Sequence, residues 1–236
     1  MTVKNQQLLQ ELKNGGVKFL PWIGDKYEDG IYYDETGGLR YGNVKGKKVL
    51  VLGESFYWGE EDDDDDGNGN NSSDASSFVA NLIDQVISGN PEFNIRTFKR
   101  FENAMAYGNM NHGNMNHEKK WDLSDRAEFW NHLIFYDYVQ EPLTYPRFSP
   151  TPKQFEEAEK PFWTVIDVYK PDIIISWGMR LYNNLPPKGE IGEYIKYNGN
   201  SFETWIYNDH IRVIPIIHPA APMFSTEMWY NVIKQM

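Results

Sequence analysis

Cysteine is absent from the 236 residues. The chain therefore has no disulfide framework, no thiolate nucleophile and no thiolate metal ligand, and it suits a reducing compartment. Long apolar runs are missing too. The strongest, such as Asp172-Ile173-Ile174-Ile175-Ser176, fall far short of the ~20 residues that a membrane-spanning helix needs. The opening stretch, MTVKNQQLLQELKNGG, is polar and lacks the apolar core of a signal peptide. The expectation is a soluble, cytoplasmic protein with no membrane partner. Basic residues are scarce, 23 Lys and Arg against 34 Asp and Glu, for a net charge of −11. Neutralising nucleic-acid phosphates requires Lys and Arg, so this balance works against non-specific DNA binding. The excess is local, however. The acids from Glu60 to Asp66 supply seven of the eleven net charges, and the rest of the chain keeps room for a basic face. A P-loop, a GxGxxG after a strand and a GxSxG are also absent, and kinase, nucleotide-dehydrogenase and hydrolase-elbow readings lose their main support.

What is present is core-forming material. Hydrophobic residues make up 40% of the chain and aromatics 15%, and aromatics bury much surface per residue. The length fits one domain spanning residues 1–236. Residues 1–47 form an aromatic, glycine-punctuated extension packed on that domain, and residues 60–77 form an acidic, low-complexity solvated loop. Lys48 to Leu52 (KVLVL), Leu133 to Val139 (LIFYDYV), Ile173 to Ser176 (IIIS) and Arg212 to Ile217 (RVIPII) are apolar, β-branched or aromatic runs, as in strands buried on both faces. Pro215 marks the last of them as an edge or early-ending strand. Helical spacing occupies Gln6 to Leu12, Phe78 to Ile87, Phe98 to Met105, Asp125 to His132, Met179 to Leu185 and Ser225 to Lys234. Another helix starts at Thr151-Pro152-Lys153-Gln154, where Thr151 caps and Gln154 closes a capping box, and Pro161 interrupts it. Tyr194 to Tyr207 reads as a hairpin turning at Asn198-Gly199. Strands separated by helices predict a three-layer α/β/α sandwich around a mostly parallel, four-stranded sheet. In such sheets ligands bind beyond the carboxyl ends of the strands.

Four segments sit at those ends. Gly53-Glu54-Ser55-Phe56-Tyr57 offers a tight turn, a carboxylate able to orient water or act as a base, and aromatics able to stack on a planar ligand. Asp137 ends an apolar strand, where an unpaired carboxylate is costly to bury, so it faces a polar cleft or meets a partner. Trp177-Gly178 opens a helix with a glycine turn and reads as structural. His218-Pro219-Ala220-Ala221-Pro222 presents a histidine preset by prolines, able to donate a hydrogen bond to a ligand oxygen or to share developing negative charge.

In this order the four pieces, VLVLGES (Val49–Ser55), LIFYDY (Leu133–Tyr138), KPDIIISWGM (Lys170–Met179) and IIHPAAP (Ile216–Pro222), resemble the uracil-DNA glycosylase superfamily over Lys48 to Met236. The resemblance implies a DNA-repair hydrolase that cleaves the N-glycosidic bond of a base taken out of the stack, without metal or other cofactor. It implies that Glu54 positions water, Phe56 or Tyr57 stacks on the base, Asp137 reads the base edge and His218 stabilises the departing base anion. Gly53, Ser55, Pro219 and Ala220 would complete the substrate contacts. There are four departures. Asp137 stands where the family has Asn; ionised, it only accepts hydrogen bonds, which disfavours uracil O4 and matches an amino group such as cytosine N4. Ala220 replaces the serine whose hydroxyl belongs to the phosphate-holding loop. The turn after Glu54 lacks the usual proline, and the acid run follows closely. The expected ligand is DNA or a nucleobase-containing small molecule. The alternative is a non-catalytic nucleotide- or partner-binding module that kept the fold, and a blander one is a scaffold whose cleft is filled by Phe56, Trp58 and Trp177.

Two features are set aside. Asp62-x-Asp64-x-Asp66-Gly67 matches the start of a calcium loop, but its final acidic position is Ser73, so a solvated acid run is the better reading. His112 and His117 recur in GNMNH units without further ligands, and no metal site is expected.

Overall fold

The computed structural model describes residues 3–42, 44–56, 75–90, 95–109, 121–143 and 148–236. The chain opens with α1 (Val3–Asn14), β1 (Trp22–Ile23), β2 (Ile31–Tyr33), β3 (Leu39–Tyr41) and β4 (Val49–Gly53). It continues with α2 (Phe78–Ser88), α3 (Arg96–Ala106), α4 (Leu123–Trp130), β5 (Leu133–Asp137), α5 (Pro152–Glu157), α6 (Glu159–Tyr169), β6 (Ile173–Trp177) and α7 (Met179–Asn183). It closes with β7 (Glu190–Ile191), β8 (Ile195–Tyr197), β9 (Asn200–Phe202), β10 (Trp205–Tyr207), β11 (Ile211–Ile216) and α8 (Thr226–Ile233). The acidic segment 60–77 and the GNMNH repeat lie outside the described residues, except that Ala75–Ser77 forms one 3-10 turn before α2 and the repeat's first two residues, Gly108 and Asn109, end another after α3.

The fold is α/β with a mixed sheet. That sheet has seven strands rather than the expected four, in the order β1-β5-β4-β6-β11-β10-β7. The inner strands β5, β4, β6 and β11 are parallel; β1 and β10 flank them antiparallel, and β7 pairs antiparallel with β10 at the far edge. The additions are two or three residues long, too short for periodicity to reveal them. The segment before residue 47 therefore supplies an edge strand as well as packing on the sheet.

Side chains of the inner strands alternate between two cores, as the two-residue strand period requires. Val49, Val51, Phe135, Ile175 and Ile216 point toward one apolar cluster that includes α2, α3, α4 and α8. Leu50, Leu52, Ile134, Ile174 and Val213 point to another that includes α1, α5, α6 and α7. Helices thus cover both faces, and for that reason these strands read as unbroken apolar runs.

The predicted capping box forms, with the Gln154 N–H donating to Thr151 Oγ1 (3.2 Å) and the Thr151 N–H donating to Gln154 Oε1 (2.9 Å). Pro161 cannot donate to the carbonyl four residues earlier, and the helical stretch divides at Ala158 into α5 and α6. The hairpin at Asn198-Gly199 forms, both turn residues having positive φ (48° and 78°). Its continuation, Trp205–Tyr207, leaves the hairpin and joins the main sheet instead. Pro215 is not on an edge strand: β11 lies inside the sheet. Arg212 and Ile216 bond toward β6, so the backbone of Pro215 faces the β10 side, where pairing has already ended at Val213, and its missing N–H leaves no broken ladder.

The carboxyl ends of the parallel strands are brought level by their starts. Asp172 Oδ2 accepts from the Lys48 N–H (2.8 Å), and the Asp172 N–H donates to the Lys48 carbonyl (2.8 Å). Gly53 then stands opposite Asp137, and Ile216 opposite Trp177.

Candidate functional site

Four chain segments meet above these ends. Past β4 and β5 the backbones stay bonded, the Tyr138 N–H donating to the Gly53 carbonyl and the Val139 N–H to the Glu54 carbonyl (2.9 Å each). This extension carries Glu54 alongside Asp137. On the other side the Gly178 N–H donates to the Ile216 carbonyl (2.8 Å), and Gly178, at φ 107°, lets the chain turn from β6 into α7 against His218.

Asp137 is 4% exposed. Its Oδ1 lies over Gly53, where a Cβ would come within 2.1 Å of it and within 3.2 Å of Phe135 Cζ. Only glycine leaves room for the carboxyl group. Burial, reinforced by the Glu54 charge, raises its pKa to about 7. Near neutrality Asp137 is therefore protonated about half the time, and in that form it donates as well as accepts. Protonated, the carboxyl presents the donor-plus-acceptor pattern of an amide; ionised, it is the bare acceptor that the sequence reading considered.

This raised pKa makes Asp137 a pH-dependent cost. A carboxyl whose folded pKa exceeds its unfolded one destabilises the fold as it ionises. The cost is absent below the unfolded value of ~3.9, grows through the window up to about 7 and is constant above it. Three pK units correspond to a cost on the order of 4 kcal/mol. Asp137→Asn is expected to stabilise the protein at pH 8 and to show no advantage at pH 4, as read from urea midpoints across that range. Gly53→Ala is expected to displace the carboxyl group, to destabilise the protein by about 1–3 kcal/mol through overpacking, and to flatten that pH dependence. Urea melts of the variant at the same pH values check both effects.

Glu54 is held by a residue that the sequence reading passed over. Arg180 Nε donates to both Glu54 oxygens (2.8 and 3.1 Å), Nη2 donates to Oε2, and Nη1 donates to the Ser149 hydroxyl. The Glu54 side chain is 13% exposed and that of Arg180 49%. The signal for Arg180 was faint: a cation just past the glycine turn of the strand neighbouring β4.

His218 is exposed above the strand ends, with Trp177 edge-on at 5.9 Å. Partial burial of the ring lowers its pKa below the ordinary histidine value; Glu54 opposes that shift and Arg180 adds to it. The ring is thus neutral at pH 7. Its Nδ1 accepts from the Ala220 N–H (3.1 Å), which leaves the proton on Nε2 as a donor. Arg100 of α3 holds the same loop from behind, donating to the Ala221 and Phe224 carbonyls (2.8 Å each). Its place on a helix of mixed charges gave no hint of that task.

The other proposed contacts divide. Pro219 is buried beneath the loop, Ala220 is exposed and Ser55 is half-buried. Phe56 faces away from the cleft: it is buried between Phe19 (4.4 Å, edge-on) and Phe78 (4.5 Å, stacked) and belongs to the core. Trp177 is likewise in the core. Tyr57 and Trp58 lie outside the described residues. Gln140, also missed, ties the N-terminal segment to this end of the sheet. Its Oε1 accepts from the N–H groups of Lys18 and Phe19 (3.0 Å each), and its Nε2 donates to the Asp137 carbonyl (2.7 Å).

Beside the cleft an open depression of about 530 Å³ is lined by Glu141, Leu143, Ser149, Thr151, Lys153 and neighbouring residues. It touches the cleft through Ser149 but is not lined by Glu54, Asp137 or His218. Among the described residues no three His, Asp or Glu side chains cluster as a metal site, and no helix is long and apolar enough to cross a membrane. No protein-family model matches the chain, and no curated protein matches it.

Proposed function

We propose that the protein is a divergent uracil-DNA glycosylase-like enzyme that hydrolyses the N-glycosidic bond of a nucleobase in DNA. The observation that carries this reading is the juxtaposition at the strand ends: Glu54 continues β4 alongside Asp137, its carbonyl bonded to the Val139 N–H, and Arg180, just past the Gly178 turn that packs against His218, holds its carboxylate. The parallel order β5-β4-β6-β11, with all four motif segments at carboxyl ends, supports it further. In this reading Asp137 pairs with the edge of a flipped base. Glu54 orients a water and takes its proton as the water oxygen bonds to C1′. The electron pair of the C1′–N bond leaves with the base, and the neutral His218 donates from Nε2 to the base oxygen that gathers the charge.

Glu54 begins this sequence in the grip of Arg180, which favours a second reading, a binding module that takes a nucleotide or another partner in the same cleft without catalysis. The test is incubation with single- and double-stranded DNA carrying uracil, hypoxanthine or ordinary cytosine, followed by alkaline cleavage of abasic sites. Strand breaks on at least one substrate are expected. Intact strands on all of them overturn the enzymatic reading, and a thermal-shift screen of bases, nucleosides and nucleotides then tests the binding module.

A further inference from the structure

Arg180 is the second residue of α7 and projects over the carboxyl end of the sheet. Its guanidinium carries two kinds of partner at once, the Glu54 carboxylate and the Ser149 hydroxyl. The planar fork of arginine fits a carboxylate and a phosphate equally well, with two parallel N–H bonds to either. A serine hydroxyl is a common companion ligand of backbone phosphates.

The pair is asymmetric in its access to water. Arg180 is half-exposed, whereas Glu54 is mostly enclosed. An anion arriving from solvent meets the guanidinium and the exposed Ser149 before it meets the carboxylate. The pair is open to water on its Arg180 side, so a phosphate can reach the fork and compete with Glu54 for it. Asp137, with its raised pKa, spares Glu54 the full repulsion of a second charge once the guanidinium has left.

We propose that Arg180 and Ser149 form a phosphate-binding site, and that an incoming phosphate takes the guanidinium fork from Glu54 and so frees the carboxylate. The ligand is a phosphate mono- or diester. As a step in catalysis the exchange rests on the glycosylase reading; as a binding site it does not. It couples substrate docking to activation of the group that orients water, and the empty enzyme keeps its acid neutralised.

The test is calorimetric titration of the full-length protein with inorganic phosphate, deoxyuridine monophosphate and a short single-stranded oligonucleotide containing uracil. The parent is compared with Arg180→Lys, Glu54→Gln and the double variant, and melting temperatures confirm that each is folded. Arg180→Lys keeps the charge but loses the fork, and is expected to weaken binding about tenfold. Glu54→Gln removes the competitor and is expected to tighten binding about three- to tenfold, a gain that the double variant loses because the two residues are coupled. The Arg180 Nε–H signal in an NMR spectrum, assigned by its loss in Arg180→Lys, should move on titration with phosphate. Binding of the mononucleotide alone identifies a free nucleotide as the source of the phosphate, and binding of the oligonucleotide alone identifies the DNA backbone. Either result supports the site. If no probe shows Arg180-dependent binding, or if Glu54→Gln does not tighten it, the proposal is overturned. DNA excision assayed on the same samples separates the two ideas. Excision without Arg180-dependent binding removes the exchange and keeps the glycosylase; Arg180-dependent binding without excision does the reverse.

Discussion

On the glycosylase reading, His218→Ala is expected to lower base excision by about 100- to 1000-fold, the usual effect of removing one donor aimed at developing negative charge. The Ala220 N–H occupies Nδ1, so the neutral ring has a single donor, Nε2–H. Folding should be nearly unaffected. The ring is exposed, and the loop is anchored independently by buried Pro219 and by Arg100 at the Ala221 and Phe224 carbonyls. Single-turnover rates on the most reactive uracil, hypoxanthine or cytosine substrate, set beside a thermal melt, separate the two effects. An unchanged rate in a folded variant would remove His218 from the reaction and leave the binding-module reading in its place.

Glu102→Ala is expected to cost about 3–5 kcal/mol of stability, because it leaves a buried cation without its partner. Glu102 is fully buried on α3. Its Oε1 accepts from Arg126 Nε (2.8 Å) and from Trp130 Nε1 (2.9 Å), both on α4. Arg126 is buried too, with a side chain 4% exposed, so water cannot replace the lost carboxylate. Replacing both residues by apolar ones of similar volume should cost far less than the single change, since the desolvation penalty disappears with the charges. Urea denaturation of the single and double variants measures the difference. The effect extends to the cleft, because α3 also carries Arg100. A loosened α3 should raise the mobility of the 218–224 loop, visible as faster amide exchange at Ala220 and Ala221.

Much of this architecture was legible beforehand. The four inner strands are apolar on both faces because helices cover both faces, so their sequences carry a strong and nearly uniform signal. The capping box at Thr151 and the turn at Asn198-Gly199 rest on local hydrogen bonds and backbone angles, which neighbouring residues specify by themselves. Glu54, Asp137 and His218 were identifiable because strand topology alone sends the end of each parallel strand to the same edge of the sheet. The edge strands β1 and β7 were not identifiable, being shorter than the period that would reveal them, and β10 was legible only as the far end of the hairpin, not as a strand of the main sheet. The bonds of Arg100, Gln140 and Arg180 were hidden for another reason. Those to Ala221 and Phe224, to Lys18 and Phe19, and to Glu54 join residues 121 to 126 positions apart, and local pattern is silent about such pairs.

The opening absences retain their force. A chain with no cysteine has no thiolate chemistry, wherever its residues fall in space. The sequence by itself also determined which strands are buried, where helices begin and which edge of the sheet carries the polar groups, because propensity, periodicity and capping act over a few residues. Only the tertiary structure decided the state of those groups. Burial against Gly53, next to Glu54, turned Asp137 from an acceptor into a carboxyl that titrates near neutrality. Packing drew Phe56 into the core. The adjacency of β4 and β6 placed Arg180 on Glu54. Protonation, exposure and ion pairing depend on distances between segments far apart in the chain, and those distances exist only once it has folded.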